Sequence, residues 1–248
     1  MKQVVATETA LKYTTADESG SDKVSAIIVC GGSSSRMNGI DKMFAEIKGI
    51  PVCVRSIAAF QKCDRISNIV VAAREDSILK LQQLCEKYEL SKVTDIVSGG
   101  NCRQRSVANG LARLTDDTGI VLVHDGARPF VTEECILRVI NGSAENSAVT
   151  CAVKLKDTVK CVRTDGLVTA TPDRNGLAAV QTPQGFKYEL YRSAVTANYE
   201  ELENFTDDCS VVEAFGYPVY IVDGDYRNIK ITTAEDLKIA EIFAEDEV

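Results

Sequence analysis

Four apolar runs, each followed by residues at helical spacing, constrain the fold of this 248-residue chain more than any other feature. Val24 to Cys30 is almost wholly apolar and seven residues long, which suits a strand buried on both faces. Apolar residues recur at helical spacing from Pro51 to Cys63, behind a proline suited to a first helical turn. Asn68 to Ala73 reads as a second strand and Asp76 to Tyr88 as an amphipathic helix. Val93 to Val97, Arg103 to Leu114 and Ile120 to His124 continue the series as strand, helix and strand. Thr132 is the predicted cap of the next helix, with Glu133 and Glu134 near its positive end. Such alternation predicts an α/β fold, a mostly parallel sheet flanked by helices. Ligands bind such sheets at the carboxyl ends of the strands. The polar residues after Cys30, Val97 and Val123 are therefore expected to meet in one pocket.

From Ser147 the texture changes to short extended segments: Ser147 to Leu155, Thr158 to Arg163, Gly166 to Thr171 and Leu177 to Gln181. Thr164-Asp165-Gly166 is a hairpin signal. A ribbon of this kind has too little core of its own, so it is expected to pack on something else, a second chain being one option. Helical patterns return at Lys187 to Tyr199 and Asp207 to Phe215, followed by a strand from Pro218 to Val222. Thr232 is expected to cap a last helix ending near Phe243. Residues 1–23 are polar and lack the apolar core of a secretion signal, so they read as a disordered tail ahead of one domain, 24–248.

Charge and cysteine usage exclude several functions. With 28 Lys and Arg against 36 Asp and Glu the net charge is −8, which argues against a broad nucleic-acid surface. No run approaches the roughly 20 apolar residues that span a membrane. Nine cysteines cannot all pair with one another, and no C-x-x-C occurs, so neither a zinc ribbon nor a thioredoxin-like motif is present. They read as mostly buried thiols of a reducing, cytoplasmic protein. The single histidine, His124, rules out a two-histidine metal site. Its neighbour Asp125 points to the opposite face of the strand, so His124 is read as structural.

Three loops carry the candidate chemistry. Cys30-Gly31-Gly32-Ser33-Ser34-Ser35-Arg36-Met37, with Lys42 beyond it, offers backbone N–H groups and two cations to phosphates. It matches neither the Walker pattern nor the dinucleotide fingerprint, and a solvated Gly/Ser loop is the plain alternative. Gly99-Gly100-Asn101-Cys102-Arg103-Gln104-Arg105-Ser106-Val107 enters a helix with two arginines in its first turn. They oppose the helix dipole and so suggest an anionic neighbour. In His124-Asp125-Gly126-Ala127-Arg128-Pro129-Phe130, Asp125 ends a buried strand and is a candidate ligand for Mg²⁺ carried on phosphates. Weaker fragments are Asp173 to Gly176, Gln181 to Gly185, Thr206-Asp207-Asp208, which reads as a helix start, and Asn228 to Thr232 with Lys230.

Taken together, the Gly-Gly-x-x-Arg-Gln-x-Ser-Val and His-Asp-x-Ala-Arg-Pro-Phe stretches, Asp157-Thr158-Val159-Lys160, Thr182-Pro183-Gln184 and Asn228-Ile229-Lys230 resemble the 2-C-methyl-D-erythritol 4-phosphate cytidylyltransferases of non-mevalonate isoprenoid synthesis. The likeness runs from about Val24 to Phe243. It implies a Rossmann-like nucleotidyltransferase sheet with a protruding β-arm, residues 150–181 or so, that interlocks a homodimer. It also implies a transferase using CTP, a sugar-alcohol phosphate and Mg²⁺. By resemblance, Arg36 and Lys42 stabilise the triphosphate, and Cys30, Gly31 and Gly32 line the nucleotide loop. Gly100, Asn101 and Ser106 match positions that read cytosine. Asp125 lies near the metal and the acceptor, with the substrate-binding Arg128 beside it and Lys230 at the reacting phosphates. Thr158, Arg174 and Thr206 match acceptor-binding positions, the first two arriving from the partner subunit. Asn101 and Ser34 depart from the family's usual Asp and Gly.

Two other readings stay open at this point: a ribitol-5-phosphate cytidylyltransferase, and a nucleotide-binding regulator without catalysis. Cys30 and Cys102 border the nucleotide segments and are expected to give sensitivity to thiol reagents.

Overall fold

The computed structural model describes residues 23–32 and 41–245. Seven strands make one sheet in the order β11-β7-β10-β6-β1-β4-β5. They are β1 (Val24–Cys30), β4 (Ile66–Ala73), β5 (Val93–Ser98), β6 (Ile120–Asp125), β7 (Ala148–Lys154), β10 (Ala178–Lys187) and β11 (Tyr220–Asp223). β1 pairs in parallel with both β4 and β6, and β5 pairs in parallel with β4. β10 alone is reversed, antiparallel to β6 on one side and β7 on the other. The remaining strands form two small ribbons, β2 (Glu46–Ile47) with β3 (Ile50–Pro51) and β8 (Cys161–Val162) with β9 (Val168–Ala170).

Alternation along β1 explains how the sheet acquires two apolar faces. Val24, Ala26, Ile28 and Cys30 join one core, while Ile27 and Val29 join another. The first core takes Phe60 and Ile57 from α1 (Val52–Lys62), Leu81 from α2 (Ile78–Lys87) and Ile136, Val139 and Ile140 from α4 (Glu133–Asn146). Opposite it pack Val107 and Leu111 of α3 (Arg103–Leu111), Leu190 and Tyr191 of α5 (Tyr188–Ala197) and Val211 and Val212 of α6 (Asp208–Ala214). Ile27 and Ile28 are both fully buried, each stabilising the fold by roughly 1.5–3 kcal/mol relative to exposure. Helix α7 (Ala234–Phe243) packs on the loop after β6, its Phe243 edge-on to Phe130 at 5.6 Å between ring centroids.

Most expected elements are present, with shifted ends. Thr132 caps α4, accepting from the Cys135 N–H at 3.3 Å. The last helix is capped by Thr233 rather than Thr232, because Thr233 and Asp236 form a reciprocal box at its N-terminus. Thr232 instead turns its N–H and hydroxyl onto Asp236. The extended segments after Ser147 divide. β7 and β10 belong to the main sheet, and only β8 and β9 stand apart, with Val162, Leu167 and Val168 about half exposed. The expected tail lies outside the described residues except for Lys23. Among the described residues, no helix is long and apolar enough to cross a membrane.

Candidate active site

Strand register brings the three candidate loops to one edge. Cys30 at the end of β1 lies opposite Ala73 of β4, and Val29 lies opposite Asp125 of β6. The Gly99 N–H donates to the Ala73 carbonyl at 2.7 Å, and the Gly126 N–H to that of Val29 at 2.9 Å. Ser106 Oγ accepts from the Gly100 N–H at 3.0 Å and donates to the Cys102 carbonyl at 2.9 Å. A side chain on Gly31 would lie 3.8 Å from the same hydroxyl. Gly31, Gly100 and Ser106 therefore adjoin, as expected, while Asn101 is exposed in the turn between them. Cys102 caps α3, its sulfur accepting from the Arg105 N–H at 3.5 Å.

Lys42 reaches back to this edge. A side chain on Gly32 would meet the Lys42 Cε at 3.5 Å and its Nζ at 3.8 Å. The segment carrying Lys42 is tethered by Asp41, which accepts from Arg74 at 3.0 Å and from the Met43 N–H at 3.1 Å. Arg36 lies outside the described residues.

Asp125 is the electrostatic centre. Its Oδ1 accepts from Arg103 Nε at 2.9 Å and its Oδ2 from Lys230 Nζ at 2.8 Å, with Arg128 Nε 3.8 Å from Oδ2. Burial alone would raise its pKa, but Arg103, Lys230 and Arg128 outweigh burial and hold the carboxyl far below the usual carboxylate range. The segment bearing Lys230 is stitched to the loop after β6: Ile231 N–H donates to Ala127 O, and Arg128 Nη1 to Asn228 O. Arg128 Nε is buried without a hydrogen bond, and Asp125 Oδ2 lies 3.8 Å from it.

The two arginines at the start of α3 have protein partners. Besides Asp125, Arg103 donates to the fully buried Asp208 at 2.7 Å, and Arg105 lies over the Tyr199 ring. The anionic neighbour expected for them is thus at least partly the pair Asp125 and Asp208. Sequence reasoning assigned no role to Arg103, Asp208 or Thr182. The opposed helix dipole signals Arg103 and Thr-Asp-Asp signals Asp208, although a helix start explains the latter equally well; nothing local marks Thr182.

His124 faces the other way, against Phe60 at 5.0 Å between centroids. Both ring nitrogens are used internally. Nε2 donates to the Arg128 carbonyl at 3.2 Å, because a carbonyl can only accept. Nδ1 accepts from the Thr182 hydroxyl at 3.1 Å, and that hydroxyl oxygen accepts from the Asp125 N–H at 3.0 Å. Burial pushes the imidazole pKa down to about 3. The unfolded chain, with an ordinary value near 6.5, binds the proton more readily, so stability is lost as pH falls from about 6.5 towards 3. Between pH 7 and pH 5 we expect His124 alone to cost about 2 kcal/mol. Urea unfolding at both pH values checks this. In His124→Gln the loss between them should largely vanish, and an undiminished loss would assign it to other groups.

An open cavity of about 530 Å³ runs from this cluster along β10 to α6. Arg103, Asp125, Arg128 and Lys230 line one part of it, and Thr206, Asp207 and Ser210 another. Thr158 and Arg174 do not line it. Both are exposed on the segment around β8 and β9, with Arg174 donating to the Lys156 carbonyl at 2.8 Å. Cys30 is buried, and burial raises its thiol pKa well above the ordinary value. A side chain on Gly126 would meet the Cys30 sulfur at 2.5 Å. The expected thiol-reagent sensitivity therefore does not extend to a resting Cys30, because the thiolate is the reactive form and access is closed.

Residues 24–246 match the sequence profile of the 2-C-methyl-D-erythritol 4-phosphate cytidylyltransferases. The chain belongs to this family. The family's enzyme from Clostridium novyi is 43% identical over 223 residues, which cover 89% of this chain and 96% of that protein. The one from Caldanaerobacter subterraneus is 44% identical over 222 residues, 89% of this chain and 98% of that protein. Among solved structures, the 4-diphosphocytidyl-2C-methyl-D-erythritol synthase of Anaerococcus prevotii superposes with a TM-score of 0.80 at 34% identity, over 90% of this chain and 96% of that one. The cytidylyltransferase of Thermus thermophilus gives 0.74 at 28% identity, over 90% of this chain and 99% of that one. The seven-stranded sheet with its single reversed strand is therefore a nucleotidyltransferase sheet of this family.

Proposed function

We propose that the chain joins CTP to 2-C-methyl-D-erythritol 4-phosphate, giving the cytidine diphosphate alcohol and pyrophosphate. The observation that carries the site assignment is the gathering of Arg103, Arg128 and Lys230 around one carboxylate at the edge where the Gly31 and Gly100 segments meet. An oxygen of the acceptor phosphate attacks the α-phosphorus in line. The bond from that phosphorus to the bridging oxygen breaks, and pyrophosphate leaves with the electron pair. The attacking oxygen is already ionised near pH 7, since a phosphate monoester has its second pKa near 6. No proton need be removed from it, which suits a site whose histidine is internally bonded. Positioning and neutralisation of charge carry the acceleration. Lys42 and Arg36 serve the triphosphate, Gly31, Gly32, Gly100, Asn101 and Ser106 the nucleoside, and Lys230 and Arg128 the phosphates that react.

Asp125 is the strand-end carboxylate that would meet a divalent cation, but its two oxygens already accept from Arg103 and Lys230, so it would take the cation only by releasing one of them, and the substrate phosphates would hold most of it. Among the described residues, no trio of His, Cys, Asp or Glu is grouped to bind one. A single carboxylate fits Mg²⁺, which keeps several waters and takes its other oxygens from substrate phosphates. Such a cation supplies neutralisation of the charge on the triphosphate. The acceptor side falls to Thr206 and, from the β8–β9 arm of a partner subunit, Thr158 and Arg174. The half-exposed Val162, Leu167 and Val168 support an arm that docks on a second copy. Incubation with CTP, Mg²⁺ and methylerythritol phosphate, with pyrophosphate measured, tests the reading. Turnover with ribitol 5-phosphate in place of methylerythritol phosphate would reassign the acceptor, and CTP binding without pyrophosphate release would favour a regulator.

A further inference from the structure

We propose that Arg103 is a positioning residue that fixes the acceptor-binding segment at a set distance from the strand-end carboxylate. Its guanidinium spans two elements that the chain separates widely. Nε holds Asp125 Oδ1 at 2.9 Å, and Nη1 holds Asp208 Oδ2 at 2.7 Å. A planar fork bonds two carboxylates in a fixed relation, which a lysine ammonium on a flexible stem does not.

The far end of this bridge is itself anchored. Asp208 Oδ1 accepts from the buried Tyr191 hydroxyl at 2.7 Å. The N–H groups of Asp208 and Cys209 both donate to Gln184 Oε1, at 3.0 and 3.2 Å. Gln184 Nε2 in turn donates to Asp207 at 2.8 Å. The first turn of α6 is thereby tied to β10, and through Arg103 to Asp125. Thr206 lies two residues before Asp208 and borders the same cavity. Arg103 therefore adds a direct side-chain link between the segment that follows Thr206 and Asp125, the two ends of the space an acceptor must occupy.

Stability is a weak explanation for this arrangement. Replacing a buried ionic cluster by packed apolar groups is often neutral or stabilising. What the cluster supplies that apolar packing would not is a defined separation between two substrate-contacting segments. The inference rests on the reading above, in which Asp125 and Thr206 belong to the site.

The test uses the full-length chain with Arg103→Met, Asp208→Asn and the double variant, assayed with CTP and methylerythritol phosphate. Each single variant should raise the acceptor KM about tenfold or more. CTP affinity, from titration calorimetry, should change by less than about threefold. The double variant should be no worse than the poorer single one, because both break the same bridge. Arg103→Lys should fall between wild type and Arg103→Met, since it can hold one carboxylate at a time. An unchanged acceptor KM in a folded variant, or single effects that multiply in the double, would overturn the proposal. If Arg103→Met fails to fold because Asp208 is left unpaired, the double variant, which removes that charge, decides by its acceptor KM. Asp125→Asn is run alongside. Should it keep full turnover, the reading of the site falls. If it is disabled while the Arg103 variants keep a normal acceptor KM, only the positioning role falls.

Discussion

Asp125→Asn should lower kcat/KM by about two to three orders of magnitude, the range seen when one preorganised electrostatic group is removed from a reacting centre. Three cations now share this carboxylate, two of them at hydrogen-bond distance. Asn keeps the shape and one acceptor oxygen but not the charge. Arg103, Arg128 and Lys230 would then repel one another, and Lys230 would lose the group that orients it. The same substitution should destabilise the fold, by about 3–5 kcal/mol if it behaves like other broken buried pairs. Kinetics on protein shown to be folded by circular dichroism separate the two effects. A change below about fivefold in the folded variant would remove Asp125 from the reacting centre.

Lys42→Ala should act on a different part of the reaction. Its ammonium lies against Gly32, on a segment that Asp41 and Arg74 hold in place. Charge on the leaving pyrophosphate grows as the α–β bond breaks, so a cation there is worth more in the transition state than in the bound substrate. We expect kcat to fall about 10²- to 10³-fold while CTP affinity falls less than about tenfold. Steady-state kinetics set against CTP titration give both numbers. Equal losses in the two would make Lys42 a binding residue and weaken the case for catalysis at this edge.

The alternation of apolar runs made the parallel half of the sheet legible, because strands buried on both faces leave few polar positions to confuse the pattern. The reversed strand was harder to see. β10 contains Thr182, Pro183 and Gln184 at positions buried in the sheet, where polar residues and a proline interrupt the apolar pattern of a buried strand. Their partners, Thr150, His124, Asp207 and the Asp125 N–H, are far away in sequence. Nothing local announces those bonds. The same holds for Asp208, whose burial follows from Tyr191 and Arg103 rather than from its neighbours. Candidate cations at strand ends were legible because topology alone sends them to one edge. The bridge that sets their spacing was not, since it depends on where a reversed strand and a late helix come to rest.

The contact between Gly126 and Cys30 has a use beyond packing. With the sulfur enclosed at the junction of β1 and β6, a thiol reagent can reach it only when that junction opens. A small free thiol alkylated in the same solution supplies the reference for the reagent's intrinsic speed. The ratio of the two alkylation rates is a clock for local opening at the edge that carries Asp125. Slowing of that clock by CTP would report how far the nucleotide rigidifies the strand ends, independently of any turnover.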